Sequence, residues 1–105
     1  MGQMSLHYKF MPLAEQDLND IFDYISLELS LPQAAENLID KIQTAVEKTC
    51  EFPYLRPLLN DKLLAKKGYR MIIIGNFNLF YIIEGQAIVI QRVLYGRRNY
   101  REILS

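Results

Sequence analysis

The chain has 105 residues, half of them hydrophobic, one cysteine and a formal net charge of zero. That is enough for one core, and it excludes a disulfide scaffold, a Cys/His zinc motif and a protein drawn to polyanions by its overall field. The charge is nonetheless split along the chain: residues 1–50 hold three Lys/Arg against eight Asp/Glu, net −5, and residues 51–105 hold nine against four, net +5.

The basic half is therefore able to meet a polyanion while the acidic half stays in solvent. No apolar run approaches the roughly 20 residues that span a bilayer, and no basic segment leads into an apolar signal region. The expectation is a soluble cytoplasmic protein of one domain over 1–105, with residues 1–5 a tag or a frayed end.

Leu6 to Met11 has strand composition and is stopped by Pro12. The period then changes: Leu18, Ile21, Phe22, Ile25 and Leu29 recur at three- and four-residue spacing between Glu15, Asp17, Asp20, Asp23 and Glu28, an amphipathic helix. Ser30-Leu31-Pro32 reads as a break, with Ser30 as N-cap and Pro32 in the next first turn. A second helix comes next with Ala35, Leu38, Ile39, Ile42, Ala45, Val46 and Thr49 as its buried stripe, and Phe52-Pro53 ends it. With so short a link the two must fold back as a hairpin, and each needs a sheet to cover.

Tyr54 to Gly68, with Lys66-Lys67, is expected to be an ordered loop carrying basic side chains. Tyr69–Ile74, Phe77–Ile83 and Ala87–Tyr95 are rich in β-branched and aromatic residues and are separated by Gly75-Asn76 and Glu84-Gly85. Glycine-containing links this short favour the primed turns, so the three runs form an antiparallel meander. Gly96 to Asn99 breaks the pattern, and Tyr100 to Leu104 suits one helical turn. Helices first and hairpin-linked strands later indicate α+β segregation. One sheet face takes the helices, and the other is expected to be open.

Lys66, Lys67, Arg70, Arg92, Arg97, Arg98 and Arg101 are candidates for one patch that holds phosphate or a carboxylate-rich segment, with Tyr95 and Tyr100 beside it for base stacking. His7 is expected at the surface, Cys50 in the core, and Tyr24, Tyr69 and Tyr81 buried or half-buried.

Ala14-Glu15-Gln16-Asp17-Leu18 through Asp23-Tyr24-Ile25, Phe52-Pro53 with Arg56-Pro57-Leu58, Gly68-Tyr69-Arg70, Phe77 to Tyr81 and Arg92 to Arg98 stand in an order that resembles the RelE/ParE toxin superfamily, closer to its ParE-like branch, from about Tyr8 to Leu104. The resemblance implies an N-terminal strand, an α-helical hairpin packed on an antiparallel β-meander and a short C-terminal tail. It also implies the toxin of a type II toxin-antitoxin module serving plasmid stabilisation or growth arrest. Such a toxin is neutralised by a cognate antitoxin, reaches operator DNA only through it, needs no metal or cofactor, and is a candidate homodimer.

The target is then DNA gyrase or, in the RelE-like alternative, ribosome-bound mRNA cut by an endonuclease (an mRNA interferase). The endonuclease pattern makes Arg70, Arg98 and Tyr100 the catalytic candidates. Ile72 stands where that pattern has a second Lys, Asn78 where it has an Arg, and Leu104 nearest to its terminal Tyr.

Overall fold

The computed structural model describes residues 5–96 and 99–105. Strand β1 (His7–Phe10) leads into helix α1 (Pro12–Asp23), a π-helical turn (Tyr24–Glu28) and helix α2 (Pro32–Glu51). Short helix α3 (Lys62–Lys66), strands β2 (Arg70–Ile74), β3 (Phe77–Glu84) and β4 (Ala87–Tyr95), and short helix α4 (Tyr100–Leu104) complete the chain. The four strands form one sheet in the order β1-β4-β3-β2.

The meander is antiparallel as its composition predicts, while β1 lies parallel to β4, from His7 against Ala87 to Phe10 against Ile90. The second hairpin turn is Gly85-Gln86, one residue later than expected, because Glu84 still pairs with Ala87. Gly75 and Gly85 both take φ of +58°, the left-handed setting a primed turn requires of its first central residue. Between Phe80, opposite Arg92, and Tyr81, opposite Ile90, the register slips, so Gln91 is the extra residue of a β-bulge.

Pro12 and Pro32 each open a helix at the first turn, where a missing N–H is no loss. α1 does not run straight to its end. Leu29 N–H donates to Tyr24 C=O at 3.0 Å, a five-residue step, and the wider turn carries Leu29 out of the apolar stripe that its spacing predicts. Leu29 and Tyr24 are exposed, against the sequence expectation for both. Ser30 does not cap α2: it holds φ of +55° and reverses the chain, and Leu31 precedes the helix without a side-chain cap.

Ala14, Ile42, Val46 and Cys50 of the hairpin pack on Ile72, Leu79, Tyr81, Ile88, Ile90 and Val93 of the sheet. Each such large side chain contributes about 1.5–3 kcal/mol by leaving water. Thr49 is buried there as well, its hydroxyl donating to Ala45 C=O at 2.8 Å. Cys50 lies in the core as expected, and burial pushes its thiol pKa up.

The opposite sheet face is not open, which corrects the sequence reading. Leu64 of α3 and Leu104 of α4 cover Tyr69, Phe80 and Leu94 in a second buried cluster. The segment expected to be loop between Tyr54 and Gly68 thus contains a helix. Asp61 starts it by accepting from Leu64 N–H, which satisfies a first-turn donor.

Candidate functional site

Side chains alternate across a strand, so β2 sends Arg70, Ile72 and Ile74 to the hairpin side and Met71 and Ile73 to the other. Arg70 is paired in register with Tyr81, a residue of the hairpin-side core. Its guanidinium donates to the Arg56 carbonyl and lies 5.2 Å from the centre of the Tyr54 ring, a cation–π contact on the segment that leaves α2. Tyr81 donates to Pro53 C=O at 3.0 Å. Burial pushes the Tyr81 phenol pKa up, and the charges of Arg70 and Arg56 pull against that rise.

Tyr100 lies on the other face. Its ring packs 4.6 Å from that of Phe80, and its hydroxyl donates to Gly96 C=O at 2.6 Å. The same hydroxyl accepts from the Asn78 amide, which also donates to Gly96 C=O at 3.1 Å. Two further bonds fasten α4: Tyr69 donates its hydroxyl to Leu104 C=O at 3.3 Å, and Arg101 meets Asp61 at 2.7 Å. Asn99 caps the helix through Glu102 N–H.

Arg92 points to neither group. Its guanidinium grips both oxygens of Asp17 on α1, at 2.7 and 2.9 Å, and one of those oxygens also accepts from Val93 N–H at 2.9 Å. β1 pairs with β4 only as far as Ile90, so Asp17 takes up a backbone donor just beyond the end of that pairing. The Asp17 carboxylate raises the Arg92 pKa further above its ordinary value.

Among the described residues, the candidates Arg70, Arg92 and Arg101 therefore do not converge. Arg70 belongs to the end of the hairpin side, Arg92 to α1, and Arg101 to the α3 cap. Lys66 ends α3 and Lys67 comes directly after it, both exposed. Tyr95 is exposed and meets Phe77 edge-on at 5.1 Å. Arg97 and Arg98 lie outside the described residues. Among the described residues no group of three or more His, Cys, Asp or Glu stands ready to hold a metal, and no helix is long and apolar enough to cross a membrane.

The sequence pattern described as ParE toxin of type II toxin-antitoxin system, parDE, matches residues 8–100 of this chain. The chain belongs to the ParE toxin family. Toxin ParE1 of Mycobacterium tuberculosis, strain CDC 1551 / Oshkosh, is 27% identical over 97 residues, covering 91% of this chain and 95% of the relative. The same protein of strain H37Rv matches to the same extent.

Two solved structures share the fold of this ParE-family chain. One is the chromosomal ParDE toxin-antitoxin system of P. aeruginosa, with a TM-score of 0.69, 20% identity, and coverage of 89% of this chain and 98% of that one. The other is the RelBE2 toxin-antitoxin complex of Mycobacterium tuberculosis, with a TM-score of 0.61, 19% identity, and coverage of 88% and 99%.

Three participants were not among the candidate site residues read from the sequence. Tyr54 and Arg56, which surround Arg70, lie in a segment with no periodicity to place it. Asp17, by its spacing, belongs only to a solvated helix face. A signal for it exists nonetheless: no Lys or Arg occurs between Lys9 and Lys41, so any cation for a carboxylate of α1 must come from elsewhere in the fold.

Proposed function

We propose that this chain is the toxin of a type II toxin-antitoxin module, neutralised by a cognate antitoxin, and that it acts as a ParE-like inhibitor of DNA gyrase rather than by cutting mRNA. The family match supports the first part, and the solved relatives, themselves toxin-antitoxin systems, support the antitoxin partner.

One observation carries the choice of target: Arg70 and Tyr100, two of the three residues that would make a ribonuclease, emerge on opposite faces of the sheet. Cleavage by general acid–base catalysis needs its groups within hydrogen-bond reach of one phosphate. The Tyr100 hydroxyl is committed to Gly96 and Asn78, Ile72 is sealed beneath the hairpin, and Leu104 fills the far-side cluster. An inhibitor that works by binding needs none of these groups free.

The test is direct. Purified protein added to gyrase, ATP and relaxed plasmid should block supercoiling and trap cleaved DNA. Undisturbed supercoiling, together with codon-phased cuts in mRNA from expressing cells that vanish in Arg98→Ala, would establish the endonuclease instead.

A further inference from the structure

The segment that leaves α2 is pinned to the sheet while its side chains stand in water. Tyr81, fully buried on β3, donates its hydroxyl to Pro53 C=O at 3.0 Å, and Arg70 of β2 donates to the Arg56 carbonyl and lies against the Tyr54 ring. Leu55 N–H donates to Phe52 C=O at 3.1 Å, and Leu58 bridges to Arg70 across the outer edge of β2, with Leu59 N–H donating to Tyr69 C=O at 3.0 Å. The loop is thus set before any partner arrives. Yet Tyr54 is 69% exposed and Leu55 72%, with Phe52 and Leu58 exposed on either side of them in the chain. A fold gains nothing by holding large apolar side chains fixed in water, so a set held this way marks a contact surface.

That surface continues around the strand edge. A cleft of about 320 Å³ lies between Arg56 and Leu58 of the loop and Met71 and Ile73 of β2, and Ile73 is 63% exposed. Residues 52–70 hold five Lys/Arg, namely Arg56, Lys62, Lys66, Lys67 and Arg70, and one carboxylate, Asp61, which is already bonded to Arg101. Glu51 comes directly before the loop. A partner surface that is apolar at its centre and carries carboxylates at its edge is attracted to such a segment. Nucleic acid fits it less well, because Leu55, Leu58 and Ile73 offer neither a stacking plane for a base nor a charge for a phosphate. Tyr54 and Leu55 also project, and projecting anchors on a fixed loop suit a preformed pocket of a folded partner rather than a segment that folds on binding.

We infer that loop 52–58 is the part of this toxin that seats in its target protein, with Tyr54 and Leu55 in an apolar pocket and Arg56 against carboxylates at the pocket's rim. The inference rests on the gyrase reading above and adds which surface makes the contact. Rigid aromatic and arginine anchors carry most of the binding energy of an interface, so few substitutions are needed to remove it.

The full-length protein is titrated into gyrase, ATP and relaxed plasmid, and the concentration that halves supercoiling is compared for the wild type, Tyr54→Ala with Leu55→Ala, and Arg56→Glu. Kd for the antitoxin is measured on the same three proteins, and circular dichroism melts check that the variants fold. Each variant should raise the half-inhibiting concentration about fivefold or more while the antitoxin Kd stays within about twofold. A smaller rise in either variant overturns the loop assignment and leaves the gyrase reading standing. A loss of antitoxin affinity as large as the loss of inhibition assigns the loop to the antitoxin or to the fold, and overturns the inference too. If the wild type binds a single-stranded oligonucleotide that both variants release, the occupant is nucleic acid and the inference falls. Supercoiling left undisturbed by the wild type removes the gyrase reading itself, and the inference with it.

Discussion

The two faces of the sheet are closed in different ways. The hairpin side is sealed by long helices through an almost wholly apolar contact, with Ala14, Ile42 and Val46 set on Ile72, Leu79 and Ile90. The far side is covered by α3 and α4, helices of five residues each, far below the length at which a helix holds alone. Polar tethers do there what helix length does opposite: Asp61 to Leu64 N–H and Arg101, Tyr69 to Leu104, and Tyr100 with Asn78 to Gly96. The first face is therefore expected to carry global stability, and the second to open locally at lower cost.

The strongest way to break this comparison is to hollow out the first face. Ile90→Ala should cost about 2–5 kcal/mol, read as a lowered urea midpoint with an unchanged slope, because a fully buried side chain leaves a cavity. Asp17→Ala should come next, at about 1–3 kcal/mol, since it strands both Arg92 and Val93 N–H where β1 has ended. If Asp17→Ala melted like the wild type, the junction of α1 with β4 would owe nothing to that carboxylate. Leu104→Ala should raise hydrogen exchange in α3 and α4 while the amides of β3 and β4 keep most of their protection. Equal loss on both faces would mean that the sheet responds as one unit.

Two pH dependences sharpen the same contrast. The Leu64 N–H above all holds the Asp61 carboxyl below its usual pKa, and the Arg101 hydrogen bond and charge add to it against an opposing push from burial that is larger than either of them. Its contribution is present above the ordinary carboxylate pKa of about 4 and is lost as pH falls through the lower folded value. Acid should therefore loosen α3 and α4 before the hairpin side, visible in the near-ultraviolet dichroism of Tyr100. In Asp61→Asn, which keeps a capping side chain, that step should disappear. In alkali, burial holds Tyr69 and Tyr81 protonated past the ordinary phenol value. Stability from both is present below about pH 10 and lost as pH rises through their raised values. Two of the seven tyrosines should thus lag in a spectrophotometric titration.

Local chemistry determined a good deal of this molecule by itself. Prolines at 12 and 32, the three-and-four spacing of α2 and the glycines at 75 and 85 act within a few residues of themselves, so both long helices and all three meander strands were legible from the sequence. Features that depended on distant partners were not. Whether β1 runs parallel or antiparallel, whether Leu29 faces the sheet after a π-helical turn, and whether Arg70 and Tyr100 share a face are settled by how the chain returns to itself. The cover on the far face is of that kind too. α3 is too short for any pattern to announce it, and Tyr100 to Leu104, though suited to a helical turn, gave no sign of which surface α4 would cover; both persist because Phe80, Leu94 and Tyr69 must be hidden from water and Asp61, Asn78 and Gly96 supply the bonds that hold the cover down.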